Sequence, residues 1–193
     1  MKKILLIILV IFANGCKDKI NVSEENSTKD SKEEIEQRLA NIDVAQLQGL
    51  QDVFDNNIEI KSENKPIMII FGNNSCKYCE DLKREIRTNT ALKDYIKSNV
   101  TSYYVNTSYS KNHNVAFMGK SLDTDSLSRH YNLSNTPLVL FLEPNGDLII
   151  KMVGYNADFF PKMLEFAADS NNYKSTKDST KRMQLFMDKY IKS

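Results

Sequence analysis

Cys76 and Cys79 are the residues whose type and spacing most directly offer chemistry. Two thiols set as Cys-x-x-Cys can exchange disulfides with another protein, close a structural bridge, or supply half of a metal site. They follow the apolar run Ile67-Met68-Ile69-Ile70-Phe71 and a polar turn, Gly72-Asn73-Asn74-Ser75, and they precede Leu82 and Ile86 at helical spacing. The order predicts a strand covered on both faces, a turn, and a helix that opens at the cysteines. At a helix N-terminus, unpaired N–H groups and the macrodipole stabilise negative charge, and the thiolate is the reactive form of cysteine. Lys77, between the two thiols, adds a cation that favours the Cys76 thiolate. Tyr78 beside it either shapes a substrate groove or packs. A zinc site takes four ligands, and the only histidines, His113 and His130, are too widely separated for a His-x3–5-His pair. A redox dithiol is the favoured reading, with no metal and no cofactor. His130 is expected on a helix surface or in packing, and His113 in a solvated loop.

The elements that must position this pair fit one domain of ordinary size with extensions, in a chain of 193 residues. A formal charge of +1 gives no basic surface suited to nucleic acid, and no glycine-rich phosphate loop is present. Nine Tyr and nine Phe supply aromatic bulk in the absence of Trp.

Residues 1–15 stand apart from the fold. Lys2 and Lys3 precede an apolar run from Ile4 to Ala13, which is short for a membrane span and suits a secretory signal. The run ends in Ala13-Asn14-Gly15-Cys16, which resembles a bacterial lipoprotein signal in which the cysteine is lipidated. An uncleaved anchor and plain secretion are the alternatives. All three place the domain outside the cytoplasm, where disulfide chemistry is possible. Lipidation of Cys16 leaves Cys76 and Cys79 as the remaining cysteines. Residues 16–31 are polar and charged, and are expected to form a tether, or a tail of no required length.

A helix is expected to start at Ser31, with Glu33 and Glu34 in its first turn and Ile35, Leu39 and Ile42 on one face. Asp43 and Gln46 look like a second cap, with Leu47, Leu50 and Phe54 carrying helix on to about Asn56. Residues 57–65 read as a polar lead into the strand at 67. After the cysteines a break at Thr88-Asn89 divides the helical pattern. Val100–Val105 reads as a strand, residues 106–122 as a long loop, and Asp123 or Thr124 as a helix cap. Thr136-Pro137 opens the strand Leu138–Leu142. Pro144-Asn145-Gly146 turns it into a partner strand, Leu148–Val153. A helix around Phe159–Phe166, a polar linker over 169–180 and a last amphipathic helix, Met183 to Ile191, complete the chain. The expected fold class is α/β: a mixed β-sheet flanked by helices, with N- and C-terminal helical extensions.

Taken together, four features resemble the thioredoxin superfamily. They are the apolar strand running into Cys76-Lys77-Tyr78-Cys79, the helix–strand–helix spacer, Thr136-Pro137 before a hydrophobic strand, and Gly154 after the hairpin. The stretch Tyr131–Pro137 resembles the family's approach to its cis-proline. Asn145-Gly146 with Val153-Gly154-Tyr155 is similar to periplasmic thioredoxin-like proteins of the SoxW type and to the catalytic domains of disulfide isomerases. The resemblance spans about residues 45–168 within a domain drawn over 32–168, with residues 169–193 as linker and C-terminal helix.

The resemblance implies that Cys76 is the exposed nucleophile and Cys79 the buried resolving thiol. Pro137 would be cis, and the backbone of Thr136 would pair with a substrate strand, beside Lys77 and Tyr78. Thioredoxins carry a buried Asp six residues before the nucleophile; here that position is Ile70, leaving Glu80 or a water to serve Cys79. The implied function is an extracytoplasmic, lipid-anchored thiol:disulfide oxidoreductase, leaning to reductase or isomerase. Its partners would be protein disulfides or dithiols and a membrane thiol electron donor or oxidant. The rivals are a thioredoxin-fold binding or chaperone module with a structural disulfide, and a copper-delivery protein.

Overall fold

A computed structural model describes residues 24–192. The chain divides into two compact units at Arg38 and Leu39. In the first unit the described residues are helical, with Arg38 3.8 Å from Glu34 one turn back. The second unit carries everything that follows.

Helix α1 spans Glu24–Gln46. The tether expected over 16–31 is therefore corrected from Glu24 on, while residues 16–23, the signal and Cys16 lie outside the described residues. Its charged sequence does not forbid helix, because Glu, Lys and Gln are good helix formers. The helix also ends earlier than expected. Asp43 does not start a new one, and residues 47–54 form successive turns instead, beginning with Leu47 N–H to Asp43 O (3.0 Å).

The central sheet has the order β3-β2-β6-β7. Its strands are β2 (Ile67–Gly72), β3 (Thr101–Asn106), β6 (Leu138–Leu142) and β7 (Leu148–Val153). β3 runs parallel to β2, and β6 and β7 follow antiparallel. Alternation along β2 splits its apolar run between two cores. Met68 and Ile70 face α2 (Lys77–Thr88), α3 (Thr90–Asn99), α5 (Phe159–Ala168) and α6 (Ser179–Tyr190). Ile67, Ile69 and Phe71 face Leu127 of α4 (Thr124–His130) and the small sheet. The expected helix break is real, and one residue makes it. Asn89 donates its N–H to Glu85 O (2.9 Å), closing α2, and its side chain accepts from Leu92 N–H (3.1 Å), opening α3.

The stretch 106–122 is not a long loop. β4 (Asn112–Val115) and β5 (Lys120–Asp123) form an antiparallel hairpin around a short 3-10 turn, Ala116–Met118. β4 also pairs in parallel with β1 (Glu59–Ile60), a two-residue strand inside the segment read as a polar lead. His113 is correspondingly not a solvated loop residue. It is buried, with Nδ1 donating to Asn57 O (2.6 Å) and Nε2 3.0 Å from Thr124 Oγ1. The carbonyl can only accept, so Nδ1 carries the proton. Burial pushes the pKa of His113 down.

Residues 169–180 are more than a linker. Tyr173 is buried, and Arg182 in α6, also buried, passes its guanidinium over that ring at 5.0 Å. Arg182 reaches Glu143 Oε1 (2.5 Å), Leu148 O (2.7 Å) and Thr176 O (2.8 Å). These bonds fasten α6 across the β6–β7 turn, and Phe186 fills the core against Phe166 and Phe159.

Candidate active site

The dithiol stands where β2 gives way to α2. Cys76 is the N-cap of α2, and its Sγ accepts from the backbone N–H of Cys79 (3.1 Å). Its carbonyl takes the N–H groups of Cys79 (3.1 Å) and Glu80 (3.2 Å). A sulfur thus occupies the place where Ser or Asp would ordinarily cap, and negative charge on it meets the positive end of the helix. The two cysteines are joined as a disulfide, with Cα atoms 5.2 Å apart. Cys76 is 9% exposed and Cys79 0%. Of the two, only Cys76 keeps any exposure.

Polar ties hold the turn before the cysteines on two sides. Toward β3, Thr107 N–H donates to Gly72 O (2.7 Å), and Asn74 N–H donates to Ser108 Oγ (2.8 Å). The Asn106 amide donates to Asn74 Oδ1 (2.7 Å). Toward β6, Asn73 Nδ2 donates to Thr136 Oγ1 (2.9 Å). The Thr136–Pro137 peptide is cis, and Gly154 N–H holds Pro137 O (2.8 Å). Cys76, Cys79, Thr136 and Pro137 therefore share one edge of the sheet. Lys77 and Tyr78 are exposed on the first turn of α2, Tyr78 at 59%. His130 lies at the end of α4 against Tyr131, with ring centroids 4.8 Å apart, and is no part of this edge.

Behind the pair the surroundings are less apolar than a core helix face would suggest. Ile70 is buried where thioredoxins carry Asp. Lys83, one turn beyond Cys79, is also buried, with its Nζ 2.6 Å from Glu80 Oε1 and bonded to Gln46 O (3.1 Å) and Gln46 Oε1 (3.0 Å). The Tyr104 ring lies 5.4 Å from that ammonium. Burial, and then the negative charges of Glu80 and Asp43, push the Tyr104 phenol well above its ordinary pKa, so it stays neutral. Gly72 is needed by close approach, since a Cβ there would collide with the Tyr104 hydroxyl.

Sequence reasoning passed over Asn73, Asn106, Ser108, Lys83 and Tyr104. Lys83 had a usable signal, because it shares the inward i, i+3, i+4 face with Cys79, Leu82 and Ile86. The asparagine ties had none, as they depend on loops distant in sequence. Among the described residues there is no group of three or more His, Cys, Asp or Glu able to hold a metal ion, and no helix is long and apolar enough to cross a membrane.

A family model described as a thioredoxin-like domain matches residues 53–168. The chain belongs to the thioredoxin-like domain family. A solved thioredoxin-fold protein from Helicobacter pylori is 33% identical, superposes with a TM-score of 0.70, and is covered over 96% of its length by 77% of this chain. A thioredoxin from Thermus thermophilus is 16% identical with a TM-score of 0.45, over 58% of this chain and 80% of its own. Comparison with curated proteins gives no significant match. A thioredoxin-like domain with a Cys-x-x-Cys pair at its strand–helix junction supports thiol–disulfide oxidoreductase chemistry.

Proposed function

We propose that this thioredoxin-like protein is an extracytoplasmic thiol:disulfide oxidoreductase of the SoxW or disulfide-isomerase type. In this reading it is lipid-anchored through Cys16 and acts on protein disulfides. The observation that carries the chemistry is the asymmetry of the pair: Cys76 caps α2 and keeps a little exposure, 9%, while Cys79 has none. In the reduced protein the Cys76 thiolate attacks one sulfur of a substrate disulfide. The Cys76–substrate bond forms, and the substrate's other sulfur leaves as a thiolate. Cys79 then attacks Cys76 Sγ, the mixed disulfide breaks, and the second substrate thiol departs with the proton of Cys79. Two electrons pass to the substrate, and the protein is left as the bridged form. Thr136 and Pro137 form the wall against which the substrate chain lies, with Lys77 and Tyr78 at its rim. A membrane thiol donor would return the electrons, and run in reverse the same steps insert a disulfide.

The signal-like residues before Cys16 support the anchor and the location. The test is the reduction potential of the full-length chain carrying C16S, equilibrated with glutathione or dithiol buffers while free thiols are counted. A potential near about −270 mV identifies a reductant and one near about −120 mV an oxidant. A pair that never exchanges under native conditions overturns the enzyme reading in favour of a binding module.

A further inference from the structure

The buried ammonium of Lys83 has no role in the steps above. A lysine this deep (1% exposed) is uncommon and must be held by partners. It has three, from two elements: Glu80 one turn back in α2, and both the carbonyl and the side-chain amide of Gln46, the last residue of α1. The last carbonyls of a helix are its negative end, so Lys83 closes α1 while lying under the first turn of α2. Cys79 and Lys83 are four positions apart on the same buried face, which brings their Cβ atoms to about 5–6 Å. Long side chains on a helix lean back over the preceding turn, and the Lys83–Glu80 contact shows this one doing so. The charged group facing the ammonium is Glu80 on α2; beyond the neutral Tyr104, Asp43 on α1 is already paired with Lys111 (2.7 Å).

We infer that Lys83 is a positioning residue for the redox pair. Its buried charge stabilises the ionised form of the reduced thiols, above all Cys79, and does so in place of the acid that Ile70 replaces. The inference rests on the oxidoreductase reading above. In the resolving step Cys79 must become a thiolate before it attacks Cys76 Sγ. A cation held one turn along the same buried face lowers that cost, and the Cys79 proton ends on the departing substrate thiol. Glu80 moderates the effect by partly neutralising the ammonium. Because the reduced form gains the stabilisation, Lys83 makes the pair more oxidising.

The experiment compares full-length C16S protein with K83M, K83R and E80Q added singly. The readouts are the equilibrium with glutathione and the rate at which a trapped mixed disulfide resolves. K83M is expected to favour the disulfide about tenfold, a potential about 30 mV more negative, and to slow resolution by a similar factor. K83R keeps the charge and stays near the parent. E80Q unmasks the ammonium and moves the potential the opposite way. A packing role would move K83M and E80Q together. An exchanging parent whose potential and resolution rate are unchanged in K83M overturns the role of Lys83 alone. A parent that does not exchange overturns the oxidoreductase reading and this inference with it. If K83M does not fold, the direction of the E80Q shift decides: an unchanged or more reducing pair refutes the inference.

Discussion

β2 buries every residue from Ile67 to Gly72, whereas β4 in the small sheet exposes Asn112 and Asn114 and turns only His113 and Val115 inward. The central sheet is held by apolar area on both faces. The small sheet adds Ile60 and Val115 to one of the two cores, and what sets it apart is a buried imidazole bonded at both nitrogens. A hydrophobic face tolerates many substitutions of similar volume, while a buried polar group depends on particular partners. Damage should therefore differ in kind: graded with volume in one region, tied to hydrogen bonds and pH in the other.

The sharpest break of the central region is Phe186→Ala. This ring packs against Phe159 and Phe166 and is buried although it comes from the last helix. Its removal should cost about 3–5 kcal/mol, read as a lowered denaturant midpoint with unchanged slope. A loss under about 1 kcal/mol would mean that α6 is an appendage and not part of the core.

His113→Gln tests the other region. The ring fits its site neutral, and burial holds its pKa below the ordinary value near 6.5. As pH falls through that value the unfolded chain takes up a proton that the folded chain refuses. The unfolded state then binds more protons, so stability declines with falling pH until the lowered folded pKa is reached. The variant should lose about 1–3 kcal/mol at neutral pH through unsatisfied partners, and should lose this portion of the acid sensitivity as well. An undiminished pH slope between neutrality and about 5 would place the sensitivity elsewhere.

The same contrast explains what the sequence made legible. The β2 run, the Cys-x-x-Cys after it, the Asn89 break and the β6–β7 hairpin each carry their signal within a few residues. The hairpin over 112–123 does not. Asn112, His113 and Asn114 have poor strand propensity; all three pair with β5, and Asn114 also meets β1, more than fifty positions earlier in the chain. The start of α1 was hidden for the opposite reason: its polar composition suits a solvated helix and a tether equally. At the site, the two sulfurs were readable from spacing. Lys83 was visible only as a polar residue on an apolar face, and its bond to Gln46 was not visible at all.

Gly72→Ala probes the seam between the central sheet and the site. The new Cβ would meet the Tyr104 hydroxyl and ring, both fixed by the core. Overpacking of this kind should cost about 1–3 kcal/mol, and Tyr104→Phe in the same chain should recover part of it by removing the oxygen. Additive losses in that double variant would show that the strain goes into the backbone instead of the ring.

The smallest expected effect belongs to Asn73→Ala, which cuts the tie from the turn before Cys76 to Thr136. The variant also loses the bond that Ser75 N–H donates to Asn73 Oδ1 (2.9 Å) on the exposed turn; each such bond is worth about 0.5–1.5 kcal/mol, so the fold should register only a small loss. Asn73 bonds to neither sulfur, so the glutathione equilibrium should also stay near the parent's. What the bond does is hold the cysteine turn and the Pro137 wall at one separation. A small thiol needs only Cys76, but a protein substrate must lie along the wall while its sulfur is attacked. In the proposed oxidoreductase, Asn73→Ala should slow exchange with a protein disulfide several-fold while exchange with glutathione is retained. Asn73→Asp should restore it, because the Thr136 hydroxyl can reverse and donate to the carboxylate. Equal slowing of both reactions would mean that the tie orients Cys76 itself, and the division between a sulfur that reacts and a wall that selects would fall.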